Sequence, residues 1–176
     1  MKINQLIVTL SLILLASIAN AQEGFNFAQN QAKVWELTKQ RTLAVAKAMP
    51  EANYNYSPTE GVKSFGQQMA HISNSMLSMS ARFIMDKSYS GREKDASKMN
   101  KNKIIIDLEN AFNSVLKDFS SLNDEVLKTT GKKHGAFPLT KWQSLLFMRD
   151  HITNHRAKAV LYLRLKNITP PRYGFN

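Results

Sequence analysis

The sequence predicts an all-α protein, a four-helix bundle that follows a short export signal. Three observations carry this expectation. Four long segments repeat apolar residues at helical spacing, and none alternates as a strand would. Two of the four open on a Ser or Thr followed three residues later by Gln, the capping-box pattern. Pro50 closes the first segment and the pair Pro170-Pro171 follows the last, where a missing N–H stops helix growth.

The first residues are read as a targeting segment and set aside from the fold. Lys2 supplies the positive end, Leu6 to Ile18 is apolar apart from Thr9, Ser11 and Ser17, and Ala19-Asn20-Ala21 gives a small-x-small cleavage pattern. The apolar run is shorter than the roughly 20 residues a transmembrane helix needs, so no stable membrane anchor is expected. No Cys follows it to carry a lipid. Residues 1–21 are therefore expected to be a signal peptide, and 22–176 one bundle domain, periplasmic or secreted.

The first helix is expected from about Phe27 to Met49, with Val34, Leu37, Thr38, Leu43 and Val45 on its apolar stripe. A polar linker, 51–63, leads to the second helix, which starts at Ser64 with Gln67 completing its capping box. Met69, Ile72, Met76, Leu77, Phe83 and Ile84 form its apolar face, which fades near Met85. The segment 86–102 is polar and basic, broken at Ser90-Gly91. The third helix is expected over about 103–129, with Gly131 as the residue that turns the chain after it. The fourth starts at Thr140, capped with Gln143, and carries Leu145, Met148, Ile152, Ala159, Leu163 and Leu165. The long second linker is able to span a whole helix, so helices two and three are free to run parallel, in an up-down-down-up order.

The chain of 176 residues has no Cys and a net charge of +11. Without disulfides the fold must rest on its core, and without thiolates any metal must rely on His, Asp or Glu. The charge points either to anionic partners, such as nucleic acid, lipid headgroups or envelope polymers, or to a solvated basic surface.

His151 and His155 stand four residues apart, so both imidazoles lie on one helix face. His71 lies on the second helix, on the side carrying Ile72, Ser75 and Ser78. At 1.5 Å per residue, His71 is roughly 10 Å into its helix, and His151 and His155 roughly 16 and 22 Å into theirs. Antiparallel packing in a bundle about 35 Å tall brings all three to one level. Three imidazoles suit Zn, Ni or Fe as a divalent ion, and leave a position open, as catalytic sites do. Asp150 is too far round the helix to be a good direct ligand; a role as acceptor for an imidazole N–H is open to it, but the preferred reading is a surface charge. Asp150 and Arg156 otherwise read as solvated surface charges, and His134 as an exposed loop residue.

Several segments resemble the DinB-like superfamily of bundle metalloproteins. They are the linker Tyr56–Gly66, Met69-Ala70-His71-Ile72, the block Arg149-Asp150-His151-Ile152-Thr153-Asn154-His155-Arg156, and Leu161-Tyr162-Leu163-Arg164 with Pro170-Pro171. Asn154 stands where many members carry a further His. The resemblance implies an up-down-down-up bundle, a metal on His71, His151 and His155, and often a homodimer. It implies no single reaction and no DNA binding.

Three function classes follow. The first is a metal-dependent hydrolase or transferase acting on a small molecule; the sequence offers no convincing general base, and Glu60, Tyr54 and Tyr56 of the first linker are within reach of the mouth of the site but read preferentially as plain loop residues. The second is a non-catalytic metal- or ligand-binding protein of the cell envelope. The third is a basic interaction module built on Lys87, Arg92, Lys94, Lys98, Lys101 and Lys103. That stretch has no interleaved stacking aromatics beyond Tyr89, so a nucleic-acid reader is not expected.

Overall fold

The computed structural model describes residues 27–131 and 138–173. The expected signal peptide and His134 lie outside these residues. Among the described residues five α-helices are formed: α1 (Phe27–Ala48), α2 (Phe65–Met79), α3 (Lys101–Phe119), the short α4 (Asp124–Lys128) and α5 (Lys141–Leu165). A π-helical turn, Ser80–Ile84, prolongs α2. Among the described residues there is no strand, only a bridge between Thr130 and Thr140.

Both expected capping boxes are present. The Ser64 hydroxyl accepts from the Gln67 N–H at 3.3 Å, and Gln67 accepts from the Ser64 N–H at 2.8 Å. Thr140 and Gln143 do the same at 3.4 and 2.9 Å. The start of α1 is closed by a distant residue: Asp124 of α4 accepts from the N–H groups of Phe27 and Ala28 at 3.1 and 3.3 Å. A carboxylate there also complements the helix dipole. At the other end of α1, the Lys101 ammonium donates to the carbonyls of Lys47 and Met49, both at 2.8 Å.

The third predicted helix is divided. It begins at Lys101, because Asn100 caps it by accepting from the Lys103 N–H at 2.8 Å. It ends at Phe119, where the hydroxyls of Ser120 and Ser121 turn back onto the carbonyls of Lys117 and Asp118. Such local bonds compete with helix continuation. Asn123 then caps α4 by accepting from the Val126 N–H. Gly131 does not end a helix. A Cβ there would stand 2.3 Å from the Phe83 carbonyl oxygen, so its role is close backbone approach to the π-turn.

Pairwise contacts give the helix directions. Gly66 lies against Ile104 and Ser80 donates to Asp118, so α2 and α3 are parallel. Lys101 reaches the end of α1 while Trp35 stacks on Phe112 and Phe119, so α1 and α3 are antiparallel. Lys141 meets Asp86 and Tyr162 meets Lys63, so α5 runs against α2. The order is up-down-down-up, with α4 inserted before the last helix. The core contains Trp35, Phe65, Met69, Ile72, Phe112, Leu108, Leu145 and Met148, all fully buried. On α1 the expected Thr38, Leu43 and Val45 are buried and Leu37 is half-buried, but Val34 is exposed and Trp35, its neighbour, fills the centre.

Candidate metal centre

The α2–α5 interface brings the three helical histidines together. The antiparallel packing sets Lys63 against Tyr162 and Asp86 against Lys141. The middle of each helix therefore meets the middle of the other. There the His71 and His151 ring centres are 5.2 Å apart, His71 and His155 4.4 Å, and His151 and His155 4.6 Å. One nitrogen from each ring lies within 4.8 Å of the other two. The Nε2 atoms of His71 and His151 are 3.2 Å apart. A tetrahedral ion with metal–nitrogen bonds of about 2.0–2.1 Å needs ligand nitrogens about 3.3 Å apart, so this donor set could hold one.

Two of the rings are held from behind. His71 Nδ1 lies 2.7 Å from a Glu93 carboxylate oxygen, and His155 Nδ1 lies 2.6 Å from the Gln68 side-chain oxygen. The orientation of the Gln68 amide is fixed by its other end, whose nitrogen lies 3.4 Å from the Lys63 carbonyl and 3.3 Å from the Tyr162 hydroxyl. A carbonyl only accepts, so the amide nitrogen faces it and the oxygen faces His155. Glu93 and Gln68 both accept, so both rings carry their proton on Nδ1 and present a bare Nε2 lone pair inward. Lys63 supports both contacts. Its carbonyl orients Gln68, and its ammonium pairs with Glu93 at 3.1 Å.

The electrostatics favour neutral rings at His151 and His155. Burial, then the charges of His71, His151 and Lys158, pushes the His155 pKa down to about 4. His151 is lowered for the same first reason, with His71 and Lys158 adding to it. Neutral imidazole is the form that ligates. Burial would by itself raise the Glu93 pKa, but hydrogen bonds from His71 and Lys63 outweigh it and hold the carboxyl below its usual range. His155 is buried, whereas His71 and His151 are half-buried, so the group opens to solvent on the latter side.

Other sequence expectations meet different outcomes. Asp150 is exposed, and the positions behind the rings are taken by Glu93 and Gln68 instead. Arg156 is no surface charge: it is 5% exposed and donates to the hydroxyls of Thr42 and Thr153. Tyr54 is buried and donates to the Ala46 carbonyl at 2.7 Å, and Tyr56 packs edge-on against Tyr162. Glu60 is exposed in the turn before α2. Of the basic linker residues, Lys94 and Lys103 pair with Asp107 and Lys98 with Asp95. Sequence reasoning missed Gln68 and Glu93. Gln68 was findable, since it stands one turn before His71 and Ile72. Glu93 lies in an irregular linker and carried no periodic signal.

The sequence model of the DinB superfamily matches residues 35–159. None of the curated proteins compared with the chain matches it. Among solved structures, the chain is similar to a DinB-like protein from Bacillus cereus, with 15% identity and a TM-score of 0.69 over 81% of this chain and 94% of that one. It is also similar to a DinB-like protein from Bacillus subtilis, with 15% identity and a TM-score of 0.65 over 82% and 98%. A conserved protein from Enterococcus faecalis gives 15% identity and a TM-score of 0.53 over 81% and 98%. At these identities the structures speak for the fold alone.

Proposed function

The chain belongs to the DinB superfamily, and from that premise we propose that it is an exported metal-dependent enzyme, hydrolytic in type, whose His71, His151 and His155 hold one divalent ion. The observation that carries this reading is the pair of acceptors behind the rings, Glu93 on His71 and Gln68 on His155. An imidazole held in this way has its free lone pair fixed in direction before any ion arrives. Zn, Ni and Fe in the divalent state all suit three imidazoles. When bound, such an ion supplies Lewis acidity toward a carbonyl, a water or a thiol.

The chain's own residues divide the remaining work. His155 forms the buried floor of the site, while His71 and His151 border its open side. Glu93 stays ionised and keeps His71 in one tautomer, with Lys63 holding the second carboxylate oxygen. Export rests on the sequence pattern of residues 1–21. No helix among the described residues is long and apolar enough to cross a membrane.

A second reading, a non-catalytic metal- or ligand-binding protein of the envelope, is favoured by one observation. Glu93 is the one carboxylate in hydrogen-bond contact with the triad among the described residues, and both its oxygens are engaged. A panel of esters, amides and thiols, assayed with the metal-stripped and the Zn-, Ni- or Fe-reloaded protein, separates the two. Turnover that returns with metal and is lost in a folded His151→Ala variant supports the enzyme. Metal binding without turnover across the panel supports the second reading.

A further inference from the structure

The parallel helices α2 and α3 do not close completely on each other. Ala70 and Asn74 on α2, with Ala111 and Ser114 on α3, line the two walls of a cavity of about 310 Å³. Side chains this short leave space between neighbouring helices that a close-packed interior would fill. The linker that joins the two helices crosses over this space, and its Tyr89, Arg92, Lys94 and Met99 line the outer side.

Side-chain bonds hold that roof in place. The Tyr89 hydroxyl donates to the Asn74 side-chain oxygen at 3.0 Å, and the Lys94 ammonium to Asp107 at 2.7 Å. Glu93, between Arg92 and Lys94, turns away from the cavity onto His71 at 2.7 Å and Lys63 at 3.1 Å. A Cβ at Gly91 would stand 2.4 Å from the Tyr89 hydroxyl oxygen, so glycine there lets the linker pass over the ring. The cavity is thus formed without a ligand, and its volume lies at the lower end of the range of small-molecule sites.

Its chemistry is divided between floor and rim. Leu77, Met99, Ile104 and Ala111 supply apolar surface, and Ile104 and Ala111 belong to the buried core. The rim offers donors. The Asn74 oxygen is engaged by Tyr89, which leaves its amide N–H groups for a ligand. Asp107 is engaged by Lys94 and Lys103. Arg92 adds a guanidinium, whose fork matches the two oxygens of a carboxylate.

We propose that this cavity is a second ligand site, separate from the triad, for a small organic carboxylate. The carboxylate accepts from Arg92 and from the Asn74 amide, and an apolar body the size of one ring lies against Leu77, Met99 and Ile104. The site stands whether or not the triad binds metal.

The test is titration of the metal-stripped protein with 4-fluorobenzoate, followed by its fluorine NMR line, with 4-fluorobenzamide as the neutral control. Stripping keeps the carboxylate from being drawn to a metal at the triad. The expected result is saturable binding of one 4-fluorobenzoate per chain in the millimolar range or tighter, with the amide about tenfold weaker or worse. Nuclear Overhauser contacts should run from the ligand ring to the Met99 and Ile104 methyl groups. Arg92→Gln should weaken 4-fluorobenzoate about tenfold, the order of one charged hydrogen bond. Ser114→Leu, which fills the cavity from an exposed helix position, should abolish saturation. Arg92 is exposed as well, so circular dichroism should show both variants folded. His151→Ala should bind as the parent does. Absence of saturation in the millimolar range, ring contacts elsewhere on the protein, or parental affinity in both Arg92→Gln and Ser114→Leu would overturn the proposal. Equal affinity for the amide would reduce the site to an apolar crevice, and loss of binding in His151→Ala would move it to the triad; either result also overturns it.

Discussion

The Gln68 side-chain oxygen accepts from Nδ1 of His155 at 2.6 Å, although 87 residues separate the two in sequence. One neutral amide on α2 thereby sets the tautomer of a buried imidazole on α5. Replacing it with an apolar group of similar shape leaves the packing but frees the ring. A Gln68→Leu variant should keep its helical spectrum and bind Zn about 10- to 100-fold more weakly by competition titration. Unchanged affinity would mean that the amide has no part in orienting the ring.

Glu93 acts on His71 in the same way, with a charge added. Glu93→Gln keeps an acceptor and should lose less zinc affinity than Glu93→Ala, which should lose about 10- to 100-fold. Equal affinity in all three proteins would contradict the proposed role of the carboxylate.

Acid should destabilise the metal-free protein in a defined window. The His155 pKa is about 4 in the folded chain, below its ordinary value, so the unfolded chain binds the proton more readily. Stability rises with pH wherever the unfolded state holds more protons. The contribution is therefore complete above about pH 6.5, the ordinary histidine value, and is lost as pH falls toward about 4. Thermal melts of the metal-stripped protein between pH 7 and pH 4 should show the midpoint falling. In His155→Ala that part of the fall should be reduced.

Trp35 is the pivot of the α1–α3 contact, fully buried and 5.2 Å from the Phe119 ring centre. Trp35→Ala should cost about 3–5 kcal/mol in denaturant unfolding. Val34→Ala, at an exposed position one residue earlier, should stay within about 0.5 kcal/mol. Comparable losses at the two positions would contradict the helix phase seen here.

Much of this fold was legible in the sequence because its signals are local. The capping boxes at Ser64 and Thr140 state where α2 and α5 begin, and the four-residue step between His151 and His155 states that they share a face. What was not legible depends on partners far away in the chain. The phase of α1 is decided by Phe112 and Phe119, and its start by Asp124. Thr42 and Thr153, along with the returning chain at Tyr173, bury Arg156, which looks like any surface charge in the sequence. Glu93 reaches His71 from a linker with no period to read.

Elemental analysis of the purified protein tests the metal centre most directly. The three inward-facing imidazoles predict close to one Zn, Ni or Fe per chain, and none in a folded His71→Ala, His151→Ala, His155→Ala variant. A parent protein free of transition metal even after reloading, or a triple variant that retains it, would contradict the account.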